Sequence, residues 1–146
     1  DVARNVCFCL IDASLRGQTI HAVAPAILRV AVQCLVRLPP RCRGPVADLL
    51  VVLGHVGQGE PSVMAECQRE VLRGYPLYVS FLEEGVGETL QNSHFAELIL
   101  LAAVHDSSLT VRTRKILGRI ETRSAEDRHL IASLRATYST MFPDAL

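Results

Sequence analysis

Apolar residues recur along this chain at helical spacing, and no stretch alternates convincingly in the manner of a strand. Between Val2 and Leu15 they fall at Val2, Val6, Cys9, Leu10 and Ala13, one face of a helix with a 3.6-residue period. Gly17 can end that helix in a left-handed position. Thr19 to Ala24 reads as a short helix or turn, because Pro25 would break a helix already under way. Proline is comfortable instead at a first helical position. The next helix therefore runs from Pro25 to Leu38, with Ile27, Leu28, Ala31, Leu35 and Leu38 inward. Pro39-Pro40 stops it, Arg41 to Gly44 forms a basic loop, and Pro45 opens the following element. Val46 to Val56 is apolar on nearly every side, which marks a central helix.

After a glycine-rich turn, a helix is expected from Glu60-Pro61 to Arg73. Met64, Cys67 and Val71 lie on one face, with Glu66, Arg69 and Glu70 outside. Gly74 ends it, and Pro76 opens a shorter helix carrying Leu77, Tyr78, Phe81 and Leu82. A loop from Glu83 to Gly87 follows, with a turn around Leu90. Asn92 or Ser93 can cap a helix from His94 to Val104, and Asp106 to Ser108 fill a polar corner. Leu109 to Ile120 turns Leu109, Ile116, Leu117 and Ile120 inward. Ser124 and Asp127 form a capping box for the last helix, whose stripe is Leu130, Ile131, Leu134 and Tyr138. Phe142-Pro143 stops it. The pattern predicts an all-α chain of about eight helices with short connections.

Composition narrows the picture further. A chain of 146 residues is long enough to bury a substantial core in a single domain. Fifteen basic and fifteen acidic residues cancel, so no overall field favours nucleic acid or an anionic membrane. The most apolar runs, Val46 to Val56 and Phe95 to Val104, carry Asp48 and Glu97 and are short for a bilayer span. Five cysteines, Cys7, Cys9, Cys34, Cys42 and Cys67, form no CxxC pair, and four lie within apolar helical patterns. Free thiols of this kind suit a reducing intracellular compartment. With no Met at its start, the chain reads as a fragment or terminal domain of something longer.

The chemical signals are weak by comparison. Leu49 to Met64 could be a buried strand, a glycine turn and a helix cradling a phosphate. However, its glycines are spaced GxxGxG, the reverse of the dinucleotide fingerprint, and no second strand accompanies it. His105 and Asp106 are adjacent and lie in no nucleophile motif, so a corner and cap reading is preferred to a hydrolase. The five histidines show no metal-ligand spacing, and nothing in the sequence calls for a cofactor. The most distinctive exposed feature is a row of Arg112, Lys115, Arg119 and Arg123 at steps of three and four. Such a row is ordinarily a solvated face, and as a contact surface it would suit an acidic peptide, an acidic helix or phosphates. Tyr78 and Phe81, with Tyr75, Leu82 and Phe95 nearby in the pattern, are core residues by default and candidate partner contacts otherwise.

At Asp106 to Arg112 the sequence DSSLTVR resembles the inter-helix turn of HEAT and armadillo repeats. The resemblance covers one repeat-sized unit, residues 94 to 120. It implies that Asp106 caps the second helix of the unit and that Arg112 reaches a neighbouring corner. It further implies an α-solenoid of stacked antiparallel hairpins that binds a protein partner without chemistry. The alternative for an all-helical chain of this size is a compact bundle serving as a dimerisation or adaptor domain. No nucleic acid, membrane or small-molecule substrate is expected.

Overall fold

The computed structural model describes residues 2–16, 19–55, 57–85 and 89–141. Among them the regular structure is helical, apart from one two-residue ladder and an isolated bridge between Ile20 and Gly59. Seven α-helices are present: α1 (Val2–Ser14), α2 (Ala24–Arg37), α3 (Gly44–Gly54), α4 (Pro61–Glu84), α5 (Thr89–His105), α6 (Thr110–Glu121) and α7 (Ala125–Met141). Single 3-10 turns at Pro40–Cys42 and Ser107–Leu109 precede α3 and α6. The expected stops at Gly17 and at Phe142-Pro143 lie outside the described residues. The chain divides into two compact units, Asp1–Gly74 and Tyr75–Leu146, and the division falls within α4.

In the first unit α1 and α2 both pack on α3, whose Ala47, Leu49, Leu50, Val51 and Leu53 are buried. The Leu49–Gly54 stretch is thus helical, not the strand that a phosphate loop would need. Pro25 and Pro45 occupy the first turns of α2 and α3, where a missing N–H costs nothing. Of the stretch expected as a short helix or turn, Ala22–Val23 form a turn, while β2 (Thr19–Ile20) pairs antiparallel with β1 (Leu15–Arg16). The Ile20 N–H donates to the Gln58 carbonyl at 2.8 Å, drawing the glycine-rich segment alongside. Gly59 is required there, because a Cβ would collide with the Cγ2 of Ile20.

The inward face of α1 differs from the expected one. Cys7 and Ser14 are its buried residues, while Val2 and Val6 are 80% and 52% exposed. Cys9 and Ala13 are exposed as well. Apolar residues nearly encircle this helix, so the period alone admits two overlapping faces, and packing on α3 selects the one through Cys7.

A second difference is α4, which runs unbroken for 24 residues through Gly74 and Pro76. Cys67, Val71, Tyr75, Tyr78 and Leu82 follow one another at steps of three and four and are all buried. The apolar phase is never interrupted, and burial along it outweighs the local cost of a proline inside a helix, about 3 kcal/mol. The helix ends at Gly85, whose φ of +64° is the left-handed position glycine favours. α5 starts at Thr89, so Asn92 and Ser93 lie within the helix and do not cap it.

Glu70 shares the buried phase of α4 and is only 4% exposed, contrary to its expected outward position. Its Oε1 accepts from Arg29 Nε and Nη2 of α2, at 3.1 and 2.8 Å, and from Arg73 Nη1 at 2.9 Å. Burial on its own would raise the carboxyl pKa. The hydrogen bonds and charges of Arg29 and Arg73 prevail and hold it below the usual carboxylate value. This pair joins α2 to α4 inside the first unit.

The second unit is built around α5, which packs against α6 and α7. Phe95, Ala96 and every residue from Leu98 to Ala103 are buried, so this stretch of α5 has almost no polar face. Thr113, Ile116, Leu117 and Ile120 of α6 face inward, with Leu109 half-buried just before the helix. Ile131 and Tyr138 of α7 are fully buried, with Leu130 and Leu134 half-buried. The Ser124 hydroxyl accepts from the Asp127 N–H at 3.0 Å, forming one half of the expected capping box.

Because the folded pKa of Glu70 is depressed, its contribution to stability is present above the unfolded value of about 4.3 and is lost as pH falls through the folded value. Glu70→Gln is therefore expected to cost about 1–2 kcal/mol at pH 7. The gap from wild type should narrow below about pH 4. Urea denaturation at several pH values measures both.

Candidate interaction surfaces

The basic row of α6 faces the C-terminal half of α4 within the second unit. The guanidinium of Arg112 lies over the Tyr75 ring, 5.7 Å from its centroid. Arg119 forms an ion pair with Glu83. Arg123 donates to the carbonyls of Leu82 and Glu83 at 2.9 and 2.8 Å, which would otherwise be orphan acceptors at the end of α4. Three of the four cations are thus engaged with α4. Lys115 is exposed and has no ion pair among the described residues. Lys115, Arg112 and Arg119 rim a depression of about 650 Å³ floored by Val79 and Ile116.

Tyr78 and Phe81 are not surface residues. Tyr78 is fully buried and Phe81 is 8% exposed, with ring centroids 6.5 and 5.3 Å from that of Phe95. They pack the core between α4 and α5, so their reading as partner contacts is corrected. Their aromatic character reflects the volume to be filled there. The Tyr75 hydroxyl is satisfied in the interior by Thr113 Oγ1 at 2.9 Å.

Asp106 caps the 3-10 turn at the polar corner and not α6 itself, whose N-cap residue Leu109 makes no side-chain cap. Asp106 has extended backbone angles, and its Oδ1 accepts from the Ser108 N–H at 3.0 Å, ordering the 3-10 turn that leads into α6. Hydrogen bonding to Ser108 lowers the Asp106 pKa, so the carboxylate is committed to the turn. Arg112 meets an aromatic ring here, where the family pattern would have it reach a neighbouring corner.

A second surface went unnoticed in the sequence. A groove of about 550 Å³ runs between α1 and α2 of the first unit. Its walls include Val6 and Leu10 from one helix and Ile27, Val30, Cys34 and Leu38 from the other, with Cys42 and Val46 at one end. No charged side chain lines it. Val6 and Val30 stand at its mouth, 52% and 58% exposed. Of the seven large hydrophobic residues that are exposed among the described residues, Val2, Val6, Phe8, Val30 and Val36 belong to α1 and α2. This concentration on two adjacent helices exceeds the scattered exposure usual for a surface. The available signal was that α1 is apolar around most of its circumference, more than one face against α3 can hide.

All five cysteines are free thiols. Burial pushes Cys67 up to about 11 and also raises Cys7, so neither is activated as a nucleophile. Among the described residues no group of three His, Cys, Asp or Glu side chains could hold a metal ion. No helix is long and apolar enough to cross a membrane, again among the described residues. Comparison with known protein families, curated proteins and solved structures finds no match for this chain.

The bracing role of the α6 row yields a contrast between neighbours. Arg123→Ala should lower stability by about 1–2 kcal/mol, because it uncaps the end of α4. Lys115→Ala should change it by less than about 0.5 kcal/mol. Paired thermal melts of the two variants give the comparison, and equal effects would remove the capping assignment.

Proposed function

We propose that this chain is a non-enzymatic protein–protein interaction scaffold, a HEAT/armadillo-like segment of stacked helical hairpins that presents a helical surface to a partner peptide or helix. The observation that carries this reading is the α1–α2 groove, uncharged along its walls and with valines at its mouth. A groove between two helices with an apolar floor matches the way amphipathic helices are bound, by side chains at i, i+3, i+4 and i+7. The Asp106-capped corner between α5 and α6 supports the repeat-like part of the proposal. The partner in this reading is a protein segment, with no direct contact to nucleic acid or membrane and no cofactor or substrate.

Within the α6 row, Lys115 is the cation best placed to meet an acidic group on a partner, since Arg112, Arg119 and Arg123 already serve α4. We rank that surface second. The alternative, a bundle that dimerises, would use the same exposed valines against a second copy.

Selection of helical peptides on the wild-type protein and on Val30→Glu tests the proposal. Val30 is 58% exposed, so the substitution should leave folding nearly unchanged. Peptides with an apolar stripe should be enriched on wild type and bind the variant at least about tenfold more weakly, the scale of a lost interface anchor. Equal binding to both proteins would sink the groove as the docking site. A mass that doubles with concentration in wild type but not in the variant would establish the dimerisation alternative instead.

A further inference from the structure

The charge pattern around the α1–α2 groove is one-sided, and this restricts what can dock there. The carbonyl of Ser14, the last residue of α1, accepts from the His21 N–H at 2.6 Å, and the His21 carbonyl accepts from the Ala24 N–H at 2.9 Å. The C-terminal end of α1 therefore adjoins the N-terminal end of α2, and the two helices run antiparallel along the groove. Its other end is formed by Leu38 and Cys42, beside the start of α1 at Ala3.

At that end, Val30, Cys34 and Arg37 follow one another at steps of four and three, so Arg37 continues the row that forms the α2 rim. Arg41 immediately precedes the lining residue Cys42. Both arginines are exposed, and neither has an ion pair among the described residues. Arg43 is occupied by the Leu38 carbonyl. Arg4 lies on the opposite side of α1, around a small pocket shared with Asp48. Among the described residues no carboxylate lines the groove. Asp12 sits about a third of a turn off the Val6–Leu10 row. The lining from Ala26 to Leu38 extends about 18 Å, the length of about three helical turns.

We propose that the groove binds an amphipathic helix of about three turns whose apolar stripe ends in acidic residues, paired with Arg37 and Arg41. This rests on the groove reading above and adds the partner's charge and length. Cys34, an exposed thiol in the groove wall, reports occupancy because a bound helix covers it.

The test uses three synthetic 12-residue helical peptides with one apolar stripe. Two carry three glutamates in the N-terminal or the C-terminal turn, and the third carries lysines in both turns. Binding is measured by fluorescence anisotropy, and alkylation at Cys34 is followed by peptide mapping. One glutamate peptide should bind at least about fivefold tighter than the lysine peptide at low salt, in keeping with two partly exposed ion pairs. It should also slow Cys34 alkylation, and Arg37→Glu with Arg41→Glu should reverse the ranking. Equal affinities with Cys34 protected in all three cases would overturn the charge assignment and leave the groove reading standing. Binding that leaves Cys34 unprotected, or that responds to Lys115→Glu instead, would overturn both.

Discussion

A helix with no polar side must be covered all round, and this constraint organises the second unit. From Leu98 to Ala103 no residue of α5 reaches solvent, so α6, α7 and the aromatic cluster at Tyr78 and Phe81 are required as its walls. At about 25 cal/mol per Å² of apolar surface, each fully buried leucine or isoleucine contributes about 2 kcal/mol. The arginines of α6 belong to the same arrangement. By closing the open carbonyls at the end of α4, Arg123 keeps one wall from fraying where the chain turns away at Gly85. In the first unit α3 plays the comparable part beneath α1 and α2, and the apolar groove lies between those two helices.

What the sequence disclosed depended on whether one force acted alone. The all-helical class, the burial of Ile116, Leu117, Ile120, Ile131 and Tyr138, and the caps at Asp106 and Ser124 follow from period and local hydrogen bonding. Where local preference and burial conflict, burial prevails. Gly74 and Pro76 look like the end of one helix and the start of another, yet the buried row through Val71, Tyr75 and Tyr78 keeps its phase across them. That phase was present in the sequence and outranks the proline. Glu70 could be found in the same way, since it lies three residues after buried Cys67. Its partner Arg29 is 41 positions distant, and no local pattern supplies it.

The groove and the basic row show how far exposure departs from what composition along one helix suggests. Cations spaced along one helix face look available for a partner, but packing brings most of them against an aromatic ring, a carboxylate and a helix end. Valines along a helix look like core, but only one arc of α1 can meet α3. Exposure depends on how many neighbours a helix acquires, which is a property of the assembled unit.

The exposed apolar side of α1 bears on what a partner would stabilise. α1 packs on α3 through the face at Cys7, while Val2, Val6 and Phe8 stay exposed on its other sides. A ligand seated between α1 and α2 would stabilise the attached form by mass action, and the gain would fall mainly on this helix and the short ladder that follows it. Occupancy of the groove and the order of α1 are then two readings of one equilibrium, and backbone amide exchange in the first fourteen residues is where a partner's arrival would register.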